Sequence, residues 1–147
     1  MAGWKSVEEI VAYQLGVKLR DKVLALIDAN TIPYNFRYRE DMAAAARSIP
    51  ANISEGFDLY GHGKFGFHVK VAKGSLGELQ THLEEARERE LLSVECMKDL
   101  MRLIVRTRKT ISGLLRHLST TDAPEPWQDD RIPPPKPLST EPPEEEY

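Results

Sequence analysis

The chain has 147 residues, enough for one domain, and its 41% hydrophobic and 29% charged residues are typical of a globular protein. Its net charge of −3 is unevenly spread, because residues 120–147 hold eight acidic residues, two basic residues and eight of the ten prolines. No apolar run approaches the ~20 residues of a membrane-spanning helix, and the acidic start does not resemble a signal peptide, so we expect a cytoplasmic protein without membrane contact.

The first predicted helix runs from about Ser6 to Ala29. Ser6 and Glu9 have the spacing of a capping box, in which two side chains bond to free backbone amides at a helix start. One broad face of this helix is apolar, and a second stripe at seven-residue spacing predicts a second neighbour, either a helix of the same bundle or another subunit. The two sets are Ala12, Leu15, Leu19, Val23, Leu26 and Ile27, and Ile10, Val17 and Leu24.

The second predicted helix begins at Tyr34 or Phe36 and ends at Tyr60, and the internal Pro50 predicts a kink. The third runs from Lys64 to Glu90. Its Gly74 and Gly77 each lower helix propensity by about 1 kcal/mol relative to alanine, a cost that is tolerable if a neighbouring backbone packs closely there. The apolar stripes of these helices are Met42, Ala45, Ala46, Ile49, Ile53, Gly56 and Phe57, and Phe65, Val69, Ala72, Leu76, Leu79, Leu83 and Ala86.

The fourth predicted helix runs from Ser93 to Leu118 and has apolar residues at heptad spacing, with Thr107 as the polar exception. The apolar positions are Met97, Leu100, Ile104, Ile111, Leu114 and Leu118. Short connections between helices of similar length favour an all-α, up-down-up-down antiparallel four-helix bundle over residues 1–119. The composition of residues 120–147 predicts a disordered, acidic, Pro-rich tail.

A basic stripe on the fourth helix is the strongest functional signal. Its members fall within about 80° on a helical wheel and extend over about 27 Å, long enough to follow several phosphate groups. The stripe consists of Lys98, Arg102, Arg106, Lys109 and Arg116. The alternative interpretation is a solvent-exposed face whose charges pair with the acidic third helix.

Other constellations do not predict catalysis or metal binding. The glycine run from Gly61 to Gly66 lacks the preceding strand of a dinucleotide site, and the set Glu78, His82 and Glu85 has no second ligand set in the chain. His62 and His68 are interpreted as loop and packing residues without a matched acid, and the single Cys96 as a buried small residue. Asn52 is predicted to bond to backbone groups that Pro50 leaves free. We therefore expect no enzymatic activity, cofactor, metal or small-molecule substrate.

Two ordered motifs carry a resemblance to a known family. The run Ser48-Ile49-Pro50-Ala51-Asn52-Ile53-Ser54-Glu55-Gly56 resembles the S-I-P-x-N-I-x-E-G signature of the four-helix-bundle family that includes bacterial 23S rRNA intervening-sequence proteins. The run from Ala72 to Ala86, with Gly74, Ser75, Glu78 and Leu79, resembles a second block of that family. The motif residues are interpreted as structural.

The resemblance implies a ring-like homopentamer and kinship with the accessory variability determinants of diversity-generating retroelements, which bind a reverse transcriptase and nucleic acid. The chain departs from the family pattern in its Pro-rich tail and in lacking arginines directly after Gly56.

These patterns together predict a non-enzymatic, homo-oligomeric scaffold that binds RNA or a nucleic-acid-processing protein through the basic stripe. The alternative is a protein–protein adaptor whose Pro-rich tail recruits or regulates a partner. The opposite charges of tail and body add the hypothesis that the tail screens the stripe within one chain.

Overall fold

Four α-helices form the bundle in a computed structural model that describes residues 3–29, 35–59 and 64–120. Helix α1 spans Val11–Asp28, α2 Phe36–Asp58, α3 Phe65–Glu88 and α4 Val94–Thr120. Each helix packs against its neighbours in the chain, and α1 also packs against α4, which closes the bundle. The described ranges contain no strand, so the all-α prediction is confirmed. Apart from Thr120, which ends α4, the predicted tail lies outside the described residues, as does the loop at Gly61, His62 and Gly63.

The core consists of the apolar stripes that the sequence predicts. Every predicted stripe residue of α3 is buried, with a relative exposure of 1% or less. Thr107 is the polar exception on α4 and is fully buried, and its hydroxyl donates to the carbonyl oxygen of Leu103 at 2.7 Å. This bond satisfies the hydroxyl inside the helix, so the core loses little by including it.

The segment before α1 differs from its prediction. A short 3₁₀ turn spans Val7–Glu9, and α1 begins only at Val11. Ser6 makes no side-chain capping bond, while the Glu9 carboxylate accepts from the backbone amide of Lys5 at 2.8 Å. The predicted helix start at Ser6 and its capping box are therefore wrong.

Trp4 gives the physical reason for this difference. Its ring makes edge contacts with Phe65 at the start of α3 and with His117 near the end of α4, at centroid distances of 6.3 and 5.5 Å. The chain must cross the end of the bundle to place the indole there, so it cannot continue α1 back to Ser6.

Helix α2 begins with a side-chain cap and continues through its proline. The side-chain oxygen of Asn35 accepts from the backbone amide of Tyr38 at 2.8 Å, as expected for an N-cap asparagine. Pro50 is buried inside the helix and faces Gly16 of α1, where an added Cβ would lie 3.5 Å from the proline nitrogen. The kink at Pro50 stays a prediction.

Two groups of glycines behave differently. A Cβ at Gly56 would lie 2.8 Å from both the Cβ of His68 and the Cδ2 of Phe65, so α2 and α3 approach closely there. A Cβ at Gly74 or Gly77 would meet no atom within 4 Å. Among the described residues of the single chain, no backbone therefore packs closely against these two glycines, because both lie on the outward side of α3.

Replacing Gly56 with alanine should destabilise the bundle by about 1–3 kcal/mol, because the new methyl group overlaps atoms of α3 that are packed on both sides. Gly66→Ala is the matched control, since its Cβ meets nothing within 4 Å. The control should be neutral or stabilising by at most about 1 kcal/mol. Urea denaturation followed by circular dichroism measures both free energies of unfolding, and equal values for the two variants would contradict the close contact.

Candidate nucleic-acid interface on helix α4

The basic stripe lies on the outer side of α4. All five of its residues are exposed, while Leu100, Ile104 and Ile111 on the opposite side of the helix are buried. Helical periodicity separates these two faces by roughly half a turn, so burial of the core residues directs the cations to solvent. The structure therefore places the five predicted residues on one continuous surface.

The charges of the stripe are little neutralised. Arg102 donates to the Asp99 carboxylate at 2.8 Å, and within the described residues no other stripe member lies within 4 Å of an acidic group. The carboxylate of Glu85 on α3 pairs with Arg89, the residue that follows this helix. The described residues thus contain no ion pair between the stripe and the acidic third helix, contrary to the alternative interpretation.

Two further cations, which the sequence pattern did not indicate, extend this surface. Lys18 and Lys22 of α1 are exposed, and with Arg102 and Arg106 they line a cleft of about 360 Å³ between α1 and α4. Asp99 is the acidic residue of the same cleft. Their spacing of four residues puts both lysines on one face of α1, but only the packing of α1 against α4 adds them to the stripe.

Val105 interrupts the cations with an exposed aliphatic side chain. It is 42% exposed and lies between two shallow clefts of about 410 and 460 Å³. One cleft is lined by Lys98, Met101 and Arg102, and the other by Arg108, Lys109, Ser112 and Arg116. This part of α4 therefore combines an apolar floor with basic edges.

The family-motif residues lie elsewhere, between α2 and α3. The hydroxyls of Ser48 and Ser75 are 2.7 Å apart, which joins the two helices. The side-chain amide of Asn52 donates to the backbone carbonyl oxygen of Ser48 at 2.8 Å and to the Ser48 hydroxyl at 2.9 Å. The carbonyl that Pro50 leaves without its helical donor is that of Ala46, so the predicted role of Asn52 is wrong. Of the other motif residues, Ile49, Pro50, Ile53, Gly56 and Leu79 are buried, and Glu55, Gly74 and Glu78 are exposed.

His68 belongs to this polar network. It lies in α3, within the predicted third helix, with its Nδ1 atom 3.3 Å from the Asn52 side-chain oxygen and 3.9 Å from the Glu55 carboxylate. The interpretation as a residue without a matched acid is therefore wrong. This contact depends on the packing of α2 against α3, which no pattern within either helix specifies.

The three residues Glu78, His82 and Glu85 make contacts with neighbouring side chains of the bundle. The His82 ring contacts Tyr38 edge-on at 5.8 Å, and the Tyr38 hydroxyl donates to the backbone carbonyl of His82. The Nε2 atom of His82 lies 3.5 Å from the Glu78 carboxylate. In the part of the chain that the structure describes, no group of three or more His, Cys, Asp or Glu residues could hold a metal ion.

Cys96, predicted as a buried small residue, lies half-buried on α4. Burial and then the negative charge of Asp99 raise the pKa of its thiol, and the positive charge of Lys22 partly opposes them. Since the thiolate is the reactive form, a raised pKa lowers its reactivity at neutral pH.

Alkylation of Cys96 by iodoacetamide should therefore be slower at neutral pH than alkylation of free cysteine, and its rate should rise with a midpoint at higher pH. Asp99→Asn removes the carboxylate charge and should lower this midpoint. Mass spectrometry of the quenched reaction measures the rates. A midpoint at or below that of free cysteine would contradict the assigned environment.

None of the described helices is both long and apolar enough to cross a membrane. A comparison with curated proteins found no match. A family model, that of the 23S rRNA-intervening sequence protein, matches residues 8–113. The match includes α1, both motifs of the α2–α3 interface and every stripe residue except Arg116. The chain, a four-helix bundle, belongs to the 23S rRNA-intervening sequence protein family.

Proposed function

We propose that the protein is a non-enzymatic, homo-oligomeric scaffold of the cytoplasm that binds RNA, or an enzyme acting on nucleic acid such as a reverse transcriptase, through the basic stripe on α4. The observation that carries this proposal is the exposure of five cations along one side of a helix, with one acidic partner among the described residues. The family model, named for 23S rRNA, supports RNA as the ligand.

The stripe suits a phosphate backbone for three physical reasons. Arg102, Arg106 and Arg116 can each offer a planar guanidinium to two phosphate oxygens, which a lysine cannot. The length of about 27 Å from Lys98 to Arg116 allows contact with several consecutive phosphates. Each neutralised phosphate releases bound counterions, so many weak contacts add up to a binding energy that falls as salt rises.

Self-association is supported by the outer face of α3, which we define as Phe67, Val71, Gly74 and Gly77. Phe67 is 64% and Val71 37% exposed, and the two glycines leave room for a close neighbour that a single chain does not provide. Exposed apolar side chains beside open glycines suit the packing of a second copy. We propose a homopentamer, on the strength of the family resemblance, with this face in its interface.

Replacing Arg102 and Arg106 with glutamate should weaken the binding of a fluorescein-labelled structured RNA at least tenfold at low salt, because two attractive charges become repulsive. The matched control is Arg37→Glu/Arg47→Glu, which changes the net charge equally at two exposed arginines of α2. Fluorescence anisotropy at about 50 and 200 mM salt measures the affinities of both variants.

The control variant should bind as the unmodified protein does. Absence of RNA binding at the lower salt concentration, or equal losses in the two variants, would overturn the role of the stripe.

Replacing Phe67 with glutamate should reduce the mass of the assembly, because a charge cannot be buried unpaired in an apolar interface. Phe36→Glu is the matched control, since Phe36 is 71% exposed on α2, away from the outer face of α3. Light scattering after gel filtration measures the mass against the 16.7 kDa chain. A monomeric unmodified protein, or a Phe67→Glu variant of unchanged mass, would contradict this interface.

A further inference from the structure

We infer that the ligand surface is a groove formed by two helices, which binds the phosphate backbone of double-stranded RNA. Its cations are Lys18 and Lys22 of α1 together with Arg102 and Arg106 of α4, and we call it the α1–α4 groove. The inference rests on the proposed function and deepens it, because it names the form of RNA and adds a second helix to the site.

The cleft between α1 and α4 brings cations from both helices together. Four cations from two helices line one space of about 360 Å³, with Leu103 also at its wall. Packed helices have axes about 8–10 Å apart, so the groove presents two rows of positive charge instead of one. The two rows also lie close enough to interact electrostatically. The positive charge of Lys22 on α1 partly opposes the rise in the pKa of the Cys96 thiol on α4.

Asp99, the acidic residue of the cleft, pairs with one of its cations. Its carboxylate accepts from the Arg102 guanidinium at 2.8 Å, while both side chains remain more than 60% exposed. A carboxylate and a phosphate bind a guanidinium in the same way, so a backbone phosphate can replace Asp99 as the partner of Arg102. Asp99 thus acts as an internal competitor of the ligand.

The position of the exposed aromatic side chains bears on the form of RNA. Proteins that bind single strands stack the bases on exposed aromatic side chains. Among the described residues, the large exposed aromatics are Phe36 on α2 and Phe67 on α3, whereas Tyr13 of α1 packs against the core. Double-stranded RNA keeps its bases paired and is recognised by its phosphates and shape, which is what a groove of cations without aromatics can contact.

The test compares a labelled, blunt-ended RNA duplex with each of its two strands alone, using the full-length chain. Lys18→Gln/Lys22→Gln removes the α1 row, and Arg37→Gln/Arg47→Gln removes two exposed cations of α2 as a matched control. We expect tighter binding of the duplex than of either strand. The plot of log affinity against log salt should lose a slope of about 1.8 in the α1 variant, since each phosphate contact contributes about 0.9.

The outcomes separate this inference from the proposed function. If Arg102→Glu/Arg106→Glu weakens binding while the α1 variant behaves like its control, the groove is wrong and the stripe stands. If the α4 variant has no effect either, the proposed function itself fails. Single strands that bind as tightly as the duplex would overturn the assigned form of RNA. Asp99→Asn should tighten duplex binding severalfold, and an unchanged or weaker affinity would contradict the competitor role.

Discussion

The close packing of α2 against α3 is the constraint on which the rest of the bundle depends. Gly56 lets the two helices approach until a single methyl group would overlap Phe65 and His68. The hydroxyls of Ser48 and Ser75 bond across the same interface, so their polar atoms are satisfied where the helices meet. The motif residues Ser48, Asn52, Gly56 and Ser75 thus lie at a helix–helix contact.

The outward direction of the stripe follows from the opposite side of α4. Leu100, Ile104 and Ile111 are buried against the other helices, and Thr107 satisfies its own hydroxyl inside the helix. A helix that buries one side completely has no rotational freedom left, so its cations must face solvent. Neighbouring α1 then adds Lys18 and Lys22 to the same surface, so the basic surface extends over two helices.

The sequence predicted the features that depend on local periodicity. The apolar stripe of α3 is buried throughout, and α2 and α3 begin and end within about two residues of prediction, the usual uncertainty of helix ends. The predictions failed where distant residues decide the outcome. The predicted Ser6 capping box does not form, because Trp4 contacts the start of α3 and the end of α4, and Asn52 bonds to Ser48. Lys18 was missed because no periodicity within α1 identifies α4 as its neighbour.

Exposed ion pairs explain how such a surface can exchange one partner for another. The Arg102–Asp99 pair is largely exposed, and pairs of this kind contribute only about 0–1 kcal/mol to stability. A ligand that takes Arg102 from Asp99 therefore costs the fold little. The bundle is held together by its buried apolar residues and by the α2–α3 contact. Neither involves the cations of the basic stripe. Stability and the proposed ligand binding thus depend on separate residues of α4, so the surface charges can change without loss of the fold.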